Sequence, residues 1–378
     1  MSTEEPWPLL GGGGQEPPAA VGGRCPNCTY PVAAWASFCE GCGAPLLPTE
    51  PPPPPATTEG SAQTRRLGVS APVARCPQCG GTIDADGYCQ TCGAKAPSRR
   101  DHVELEPADW LAGVCDRGLA HARNEDAIAL WASETAGAGV LVVCDGVSTS
   151  TEADVASQAG VERACAVLSE AVAAAPGPEY DFAGDLVRAA AEANAAISDA
   201  TTSDGPVAGS ATFAAAVLHG DTIHYGSLGD SRIYWFSGAE QVLLTRDDSL
   251  AQEFIEQGMD RGEAEAMPKA HAITRWLGSD AEDVVPRTGS YRPTGDGWLL
   301  VCSDGLWNYA SEPAELAARL AEASLPDDTP LGIARRLVQW ANASGGKDNV
   351  TVALARHRAR LEGPVAAGPT GEGEAHDG

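Results

Sequence analysis

Three short acidic turns carry the residues of this 378-residue sequence whose types and spacing have the clearest chemical meaning. In VVCDGVST and LLVCSDGLWNY an apolar run ends in Asp-Gly, at Asp145 and Asp304, and in GGKDNVTVAL the Asp-Asn pair at Asp348 opens one. An apolar run flanked by glycine and polar residues is typical of a buried strand, so each carboxylate is predicted at the end of such a strand. Three converging carboxylates repel one another unless a cation neutralises them, and oxygen ligands suit Mg²⁺ or Mn²⁺. The turns therefore predict a hard-metal site.

The elements that must position these turns follow one another from Trp110 onward. WLAGVCD, DAIALW and GVLVVC predict strands, and two long segments with apolar residues at helical spacing predict helices, EADVASQAGVERACAVLSEAVAAA and DFAGDLVRAAAEANAAISDA. The remaining predicted strands are ATFAAAVL, TIHYGSL, SRIYWF, EQVLLT, WLLVCS and VTVALARH, and SLAQEFIEQG and residues 311–323 and 330–343 predict helices. Because strands and helices come in consecutive groups, we expect an α+β fold of antiparallel sheets covered by helices.

The charge of the chain is unevenly distributed. The formal net charge is −27, but residues 1–100 carry 7 Lys and Arg against 8 Asp and Glu, whereas the remainder carries 18 against 44. Such acidity argues against general nucleic-acid binding by the larger part, since phosphate backbones require Lys and Arg. It is compatible with metal capture or with basic partners. No run of 18 or more apolar residues occurs, and the start MSTEEPWPLLGGGG lacks the basic region of a signal peptide, so we expect a cytoplasmic protein that does not enter a membrane.

Cysteine spacing sets the first 100 residues apart. Eight of the 12 cysteines form two double Cys-x-x-Cys sets, which are Cys25, Cys28, Cys39 and Cys42, and then Cys76, Cys79, Cys89 and Cys92. Each set offers four thiolates on two tight turns, the spacing of a tetrahedral Zn²⁺ site, and a reduced cytosolic chain disfavours disulfides or redox pairs there. The segments resemble a tandem double zinc ribbon that holds two structural zinc ions and needs them to fold. Since neither ribbon has a basic stripe, we expect a protein partner or a regulatory role and not nucleic acid.

Composition suggests where the domains begin and end. Pro51–Pro55 mark a stiff extended spacer between the ribbons. The predicted boundaries are ribbons at 22–48 and 73–97, linkers at 49–72 and 98–107, a large domain at 108–360, and a disordered tail at 361–378. The other cysteines, Cys115, Cys144, Cys165 and Cys302, have no partner spacing. Core packing is expected for the two beside the acidic turns, Cys144 and Cys302.

Eight motifs occur in a characteristic order over residues 110–358. They are HARNEDA from His121 to Ala127, VCDGVS, GSATFAAAVL, GSLGDSRIY, LTRDDSLAQEFIEQG, HAITRWLG, CSDGLW and KDNVTV. In this order they resemble the metal-dependent protein Ser/Thr phosphatase family of the 2C type, and the composition suggests a bacterial member. The resemblance implies a four-layer αββα sandwich with a binuclear metal site at one end of the paired sheets.

The resemblance also implies a role for individual residues. Asp145 would bridge two Mn²⁺ or Mg²⁺ ions, with the Gly146 carbonyl on one and Asp304 and Asp348 on the other. Glu125 would bind a metal-coordinated water. Asp230 would contribute to a third, weaker metal site. The implied reaction is hydrolysis of phosphoserine and phosphothreonine by a water between the two metals, acting on phosphorylated proteins and opposing a Ser/Thr kinase, with the ribbons recruiting or regulating.

One departure concerns the phosphate. The family usually places an arginine four residues before the motif glutamate, but this sequence has His121 there, and Arg123 is the nearby basic residue. Either is a candidate phosphate-binding residue. The departure leaves a pseudophosphatase that binds phosphoproteins without hydrolysing them as an alternative, and a nucleic-acid adaptor built on the ribbons as a third. Near the motifs, Asp154, Asp247 and Asp248 are expected to be solvated or to cap helices.

Overall fold

The computed structural model describes Arg24 and residues 75–76, 78–84, 87–94, 96, 98–133, 137–202, 208–325 and 328–358. The chain divides into two compact units, Met1–Pro72 and Val73–Gly378. The predicted first ribbon with its four cysteines, the Pro-rich linker and the tail at 361–378 lie outside the described residues, apart from Arg24. Within the described ranges, no helix combines the length and the apolar character that a bilayer crossing requires.

The strands and helices of the second unit agree closely with the predicted order. The strands are β1 (His102–Ala108), β2 (Leu111–Asp116), β3 (Ala127–Ser133), β4 (Ala138–Cys144), β5 (Ser210–Ala211), β6 (Phe213–His219), β7 (Thr222–Leu228), β8 (Arg232–Ser237), β9 (Gln241–Leu243), β10 (Leu277–Gly278), β11 (Arg287–Tyr291), β12 (Gly297–Cys302) and β13 (Val350–His357). The α-helices are α1 (Ala153–Ala174), α2 (Ala183–Ala200), α3 (Leu250–Glu256), α4 (Arg261–Glu265), α5 (Asp304–Trp307), α6 (Pro313–Ala323) and α7 (Pro330–Ala343).

Two antiparallel sheets form the centre of the fold. One has six strands in the order β1-β2-β13-β12-β8-β9, the other has five in the order β11-β7-β6-β4-β3, and β10 pairs with β5 separately. Helices α1 and α2 pack on the five-stranded sheet, whereas α6 and α7 pack on the six-stranded one. The expected α+β fold, a four-layer αββα sandwich, is confirmed.

Alternation along the strands explains why the sheets stack. In β4, Val140 and Val142 belong to the core beneath α1 and α2, while Leu141 and Val143 belong to the core between the two sheets. Successive side chains of a strand point to opposite faces, so an unbroken apolar run such as AGVLVVC is buried on both sides. Such a strand can meet water only at its ends. The residue that follows β4, Asp145, is therefore held at the edge of a rigid layer.

The predicted linker at 98–107 is wrong. Residues Arg99–Asp101 form a 3₁₀ turn, and His102–Ala108 form β1, which pairs with β2 from His102 opposite Asp116 to Ala108 opposite Leu111. The segment HVELEPA alternates exposed and half-buried residues because only one side of this edge strand faces the sandwich. A run with one proline, two glutamates and little apolar content resembles a linker until its partner strand is known. The sheet thus begins about six residues before the predicted domain start at 108.

The expectation for Asp247 and Asp248 is also wrong, because both carboxylates are buried in ion pairs. Arg232 donates to Asp247 from Nε and NH2, at 3.0 and 2.7 Å, and its guanidinium carbon lies 3.5 Å from the centre of the Trp307 ring. Asp248 accepts from Arg275 and Arg287. The arginines come from distant positions in the chain, so local sequence gave no sign of the pairing.

Candidate active site

The predicted metal ligands meet in one cavity at the end of the sandwich. Its volume is about 540 Å³. Its lining includes all five predicted metal residues, which are Asp145, Gly146, Asp230, Asp304 and Asp348. They come from the ends of β4, β7 and β12 and from the residues just before β13. The opposite wall is formed by His271, Ala272, Ile273 and Trp276.

Asp145 is fixed through its backbone. Its N–H donates to Oγ1 of Thr212 at 2.9 Å, and the Thr212 N–H donates to the Asp145 carbonyl at 2.8 Å. The Thr212 hydroxyl is itself held by Ser231 Oγ at 2.8 Å. Because the backbone is fixed on both sides, the Asp145 side chain projects from a rigid position.

Gly146 is a position where only glycine fits. A Cβ built there would lie 2.6 Å from the carbonyl oxygens of Glu125 and Ala153, well inside contact distance. The Gly146 N–H donates to the Glu125 carbonyl at 3.1 Å. The Asp145–Gly146 turn is therefore packed directly against the Glu125 loop and the start of α1. The sequence predicted that glycine here lets the backbone come close to a ligand, and the structure shows that the surrounding backbone also leaves no room for a side chain.

Two further turns place Asp304 and Asp348 side by side. A Cβ on Gly305 would lie 1.9 Å from the Asn349 carbonyl oxygen, and one on Gly118, whose φ is +70°, would lie 2.0 Å from the Asp348 carbonyl oxygen. Asn308 donates to Oδ2 of Asp304 at 2.9 Å, whereas Oδ1 of Asp304 is buried without a hydrogen-bond partner. A buried carboxylate oxygen without a partner is expensive, which indicates that a cation belongs there.

The electrostatics of the cavity support this assignment. Burial, followed by the charges of neighbouring carboxylates, raises the pKa of Asp145 and of Asp304 well above the ordinary range, and burial raises the pKa of Asp230 to about 7. Burial also raises the pKa of Asp348. Without a counter-charge, these groups retain protons at pH values where aspartate normally ionises. The donor set is all oxygen and therefore fits Mn²⁺ or Mg²⁺.

The acidic residues do not crowd around a single point. Within the described ranges, three or more potential ligand atoms lie mutually within 4.8 Å only at four cysteines. A spread set of carboxylates suits cations that keep several water ligands, as Mg²⁺ does, and suits two ions better than one.

The metal-free protein is expected to lose stability as the pH rises from about 5 to 7. A carboxyl whose folded pKa is raised contributes stability below its unfolded pKa, and that contribution is lost as pH rises through the folded value, which is about 7 for Asp230. Thermal unfolding after chelation should show a falling Tm across this window. Saturating Mn²⁺ should remove the fall, and an equal slope with and without Mn²⁺ would contradict the placement of cations at these carboxylates.

Glu125 lies beside the cavity in a fixed orientation. Its Oε1 accepts from Arg123 at 2.7 Å and its Oε2 accepts from Ser148 at 2.8 Å. Its N–H donates to Asn349 Oδ1 at 2.7 Å. Both carboxylate oxygens therefore have partners, unlike those of Asp304. This arrangement suits a carboxylate that orients a water molecule and does not bind a cation directly.

Sequence reasoning missed Asp126, which lies behind Asp145. Its side chain is 1% exposed, and its Oδ2 accepts from the hydroxyls of Ser303 and Thr351, both at 2.7 Å. Its Oδ1 has no partner, and burial raises its pKa to about 6. Among the neighbouring charges that raise the pKa of Asp145, Asp126 comes first. The only signal was its place beside Glu125, where two consecutive acidic residues precede a buried strand.

The two predicted phosphate-binding residues have acidic partners in this structure. His121 Nε2 lies 3.2 Å from Asp348 Oδ1. Arg123, besides binding Glu125, lies 3.7 Å from Oδ1 of Asp154. Asp154 is thus part of an ion pair beside the site, and its side chain remains 31% exposed, in line with the expectation of a solvated residue. The cavity lining includes neither His121 nor Arg123.

The described ribbon has the geometry of a zinc site. Sγ of Cys79 lies 3.4 Å from that of Cys89 and 3.3 Å from that of Cys92, and Cys76 to Cys92 is 3.6 Å. Zn–S bonds of about 2.3 Å in a tetrahedron place sulfurs about 3.8 Å apart. The backbone N–H of Cys92 lowers the pKa of Cys89 to about 6, which favours a thiolate. All four residues have free thiols, so the expected zinc set fits and disulfides do not.

Known protein families match both the zinc-ribbon region and the sandwich domain. A model of the double zinc ribbon matches residues 25–93, and a model of protein phosphatase 2C matches residues 119–340, more than half of the chain. The chain belongs to the protein phosphatase 2C family. In this 2C-type chain, the matched segment covers Asp145, Asp230 and Asp304 and begins two residues before His121.

Individual relatives of this 2C-type chain are bacterial protein phosphatases. The chain is 32% identical over 247 residues to the serine/threonine protein phosphatase PstP of Mycobacterium tuberculosis, covering 65% of this chain and 44% of that protein. It is 37% identical over 131 residues to the protein phosphatase PhpP of Streptococcus pneumoniae, covering 34% of this chain and 51% of that protein. The chain thus spans about half the length of these relatives.

Solved structures of 2C-type enzymes share the fold. The M. tuberculosis phosphatase PstP/Ppp aligns with a TM-score of 0.53 at 27% identity, covering 66% of this chain and 98% of that one. The Streptococcus agalactiae serine/threonine phosphatase aligns with a TM-score of 0.54 at 27% identity, covering 67% of this chain and 98% of that one. The catalytic domain of PstP in complex with two manganese ions aligns with a TM-score of 0.51 at 25% identity, covering 68% of this chain and 99% of that one.

Proposed function

We propose that this chain is a metal-dependent phosphatase that hydrolyses phosphoserine and phosphothreonine in proteins. The observation that carries the proposal is the convergence of Asp145, Asp304 and Asp348 in one cavity, with Oδ1 of Asp304 buried and unpartnered. Relatives named as serine/threonine phosphatases support the substrate class. In this proposal the enzyme opposes a bacterial Ser/Thr kinase, and the ribbons bind a protein partner or regulate the enzyme.

Asp145, the Gly146 carbonyl, Asp304 and Asp348 would hold two Mn²⁺ or Mg²⁺ ions, and Asp230 would contribute to a third, weaker site. When bound, the two ions acidify a water for attack on phosphorus and offset charge on the phosphoryl oxygens. The chain itself supplies the positioning. Glu125, held by two partners, would orient water beside the cavity, and His271, Ala272, Ile273 and Trp276 complete the cavity lining.

Cysteine chemistry is excluded as the source of a nucleophile in this cavity. Cys144 and Cys302, the two cysteines beside the acidic turns, are fully buried. Burial raises the pKa of both thiols far above the ordinary value, so they remain protonated. The expectation that they pack in the core is confirmed by their places in the two helix-covered core clusters.

The test of the proposed substrate class is a comparison of peptides. With Mn²⁺ present, the full chain is expected to release phosphate from phosphothreonine and phosphoserine peptides. A phosphotyrosine peptide of the same flanking sequence serves as the matched comparison and is expected to be a poorer substrate. Hydrolysis of none of them, or preference for phosphotyrosine, would contradict the proposal.

One observation favours a phosphoprotein-binding pseudophosphatase as the second candidate. His121 stands where the family usually has a phosphate-binding arginine, and its Nε2 contacts Asp348. If this candidate is right, calorimetry will show tight binding of a phosphopeptide under conditions where Mn²⁺ produces no turnover. Turnover at any saturating Mn²⁺ concentration excludes it.

Replacing His121 by arginine is expected to lower KM for a phosphopeptide while leaving kcat nearly unchanged. A guanidinium offers a planar pair of donors to phosphate, and an imidazole offers at most one donor on the same side. An effect of about three- to tenfold on KM corresponds to roughly one added hydrogen bond of ordinary net strength. Steady-state kinetics of His121→Arg beside His121→Gln provide the measurement. An unchanged or higher KM in His121→Arg would indicate that another residue, such as Arg123, already binds the phosphate.

A further inference from the structure

The chain between the second ribbon and β1 forms a rigid, capped turn. Ser98 is the N-cap of the 3₁₀ turn Arg99–Asp101. The Ser98 N–H donates to Asp101 Oδ2 at 3.0 Å, and the Arg100 N–H donates to Ser98 Oγ at 3.2 Å. Such reciprocal capping fixes the backbone at the start of the catalytic domain. It aims the side chain of Arg100 in a defined direction.

Arg100 joins two segments beside the metal site. Its NH2 donates to the Asp126 carbonyl at 3.1 Å and to Ser157 Oγ at 3.5 Å, and its NH1 donates to the Asp154 carbonyl. Asn124 Nδ2 in turn donates to the Arg100 carbonyl at 2.8 Å. One guanidinium therefore ties the loop before β3 to the first turn of α1.

These contacts lie directly behind Glu125 and the Asp145–Gly146 turn. Asn124 and Asp126 flank Glu125 in sequence, and the Asp154 carboxylate pairs with Arg123, which binds Glu125. The Glu125 carbonyl accepts the Gly146 N–H. Withdrawing Arg100 would leave two carbonyls without their charged donor and would loosen the wall against which Gly146 packs.

On its other side, the same turn is joined to the ribbon by the chain itself. Ala96, two residues before Ser98, belongs to the ribbon, and its N–H donates to the Gly87 carbonyl at 2.6 Å. Only five residues separate the zinc-site Cys92 from Ser98, which limits their separation to about 20 Å. Because thiolate–metal bonds hold such a small unit in its fold, loss of zinc would release the segment that leads into the turn.

We propose that Arg100 is a positioning residue through which the zinc-loaded ribbon controls the cation site. The ribbon holds the Ser98–Asp101 turn, the turn aims Arg100, and Arg100 fixes the Glu125 loop and the start of α1. A protein partner that displaces the ribbon would act by the same route. The inference rests on the proposed function, since it assumes that the acidic cavity holds divalent cations.

The test compares Arg100→Ala with Arg99→Ala in the full chain. Arg99 lies in the same turn with an exposed side chain and serves as the matched control. Calorimetry without substrate is expected to show Mn²⁺ binding that is severalfold weaker, up to about tenfold, for Arg100→Ala, because direct partners of metal ligands are typically worth about 10–100-fold and Arg100 acts one contact further out. Hydrogen exchange of the metal-free protein should be faster at the Glu125 amide, whose partner is Asn349 Oδ1. Arg99→Ala should match the wild type in both, and equal behaviour of the two variants would overturn the proposal.

The role of the ribbon is tested by adding Cys79→Ser, which removes one zinc thiolate. In the wild-type background this change is expected to weaken Mn²⁺ binding severalfold, whereas in the Arg100→Ala background it should add nothing, because the connection is already broken. If the two substitutions together weaken Mn²⁺ binding by the product of their separate effects, the ribbon acts by another route and the proposal is overturned. If the variants weaken Mn²⁺ binding as expected but the wild type hydrolyses no phosphopeptide, the proposed function is wrong and this inference stands. If the wild type hydrolyses phosphopeptides but the variants bind Mn²⁺ as tightly as the wild type, this inference is wrong and the proposed function stands.

Discussion

Replacing Asp304 by alanine is expected to lower kcat for a phosphothreonine peptide by at least about 1,000-fold, roughly 4 kcal/mol of transition-state stabilisation. The reason is specific to this carboxylate. Its Oδ1 is buried without a hydrogen-bond partner, and its Oδ2 has only Asn308. Without a cation, the Asp304 carboxylate therefore destabilises the folded protein. With a cation bound, we propose that it is a direct ligand.

The same substitution is expected to preserve the fold. Removing one charge from a group of mutually repelling carboxylates should raise the Tm of the metal-free protein, because burial and neighbouring charges already raise the pKa of Asp304. Asp304→Asn is the matched control, since it keeps the volume and removes only the charge. Steady-state kinetics and thermal unfolding after chelation give the two readings. Near-wild-type turnover in either variant would refute the assignment of Asp304 as a ligand.

Complete removal of zinc is expected to unfold the ribbon region while the sandwich remains folded. The described ribbon buries few large side chains, and small zinc domains draw an apparent 10–16 kcal/mol of folding free energy from their metal. The sandwich, by contrast, has three extensive clusters of buried apolar residues and needs no zinc. Elemental analysis should give two zinc ions per chain, one for each four-cysteine set.

Mild chelation should separate the two kinds of site. Carboxylate-bound cations exchange readily, so phosphatase activity should be lost first and should return with Mn²⁺ alone while about two zinc ions remain bound. Strong chelation should then raise proteolytic cleavage before residue 98 without unfolding the sandwich of residues 102–357. A chain that holds no tightly bound zinc after purification from zinc-containing medium would remove the ribbons from this account.

Local sequence was enough to predict the strands that end at the metal turns. An apolar run such as GVLVVC is buried on both sides wherever it lies in the sandwich, and Asp-Gly after it can only be a turn at the edge. For that reason, a single segment of the chain was enough to predict the position of Asp145, and another to predict that of Asp304. Helices α1 and α2 were predictable in the same local way, from apolar residues at helical spacing. The convergence of the turns in one cavity was implied only by the order of the motifs.

What local sequence could not show depends on partners distant in the chain. Strand β1 is recognisable only beside β2, and the burial of Asp247, in the loop after β9, depends on Arg232, 15 residues earlier in β8. The unpaired Oδ1 of Asp126 depends on where Ser303 and Thr351 place their hydroxyls. Long-range pairing of this kind leaves no periodic pattern in the segment that contains the residue.

Phosphate release from a phosphothreonine peptide, followed as Mn²⁺ is titrated into the chelated full chain, decides whether the acidic cavity performs metal-dependent phosphoryl hydrolysis. We expect no release without metal, a saturable rise with Mn²⁺, and no rise for Asp304→Ala at any concentration. Release that is independent of metal, or no release at saturating Mn²⁺, would contradict this role of the cavity.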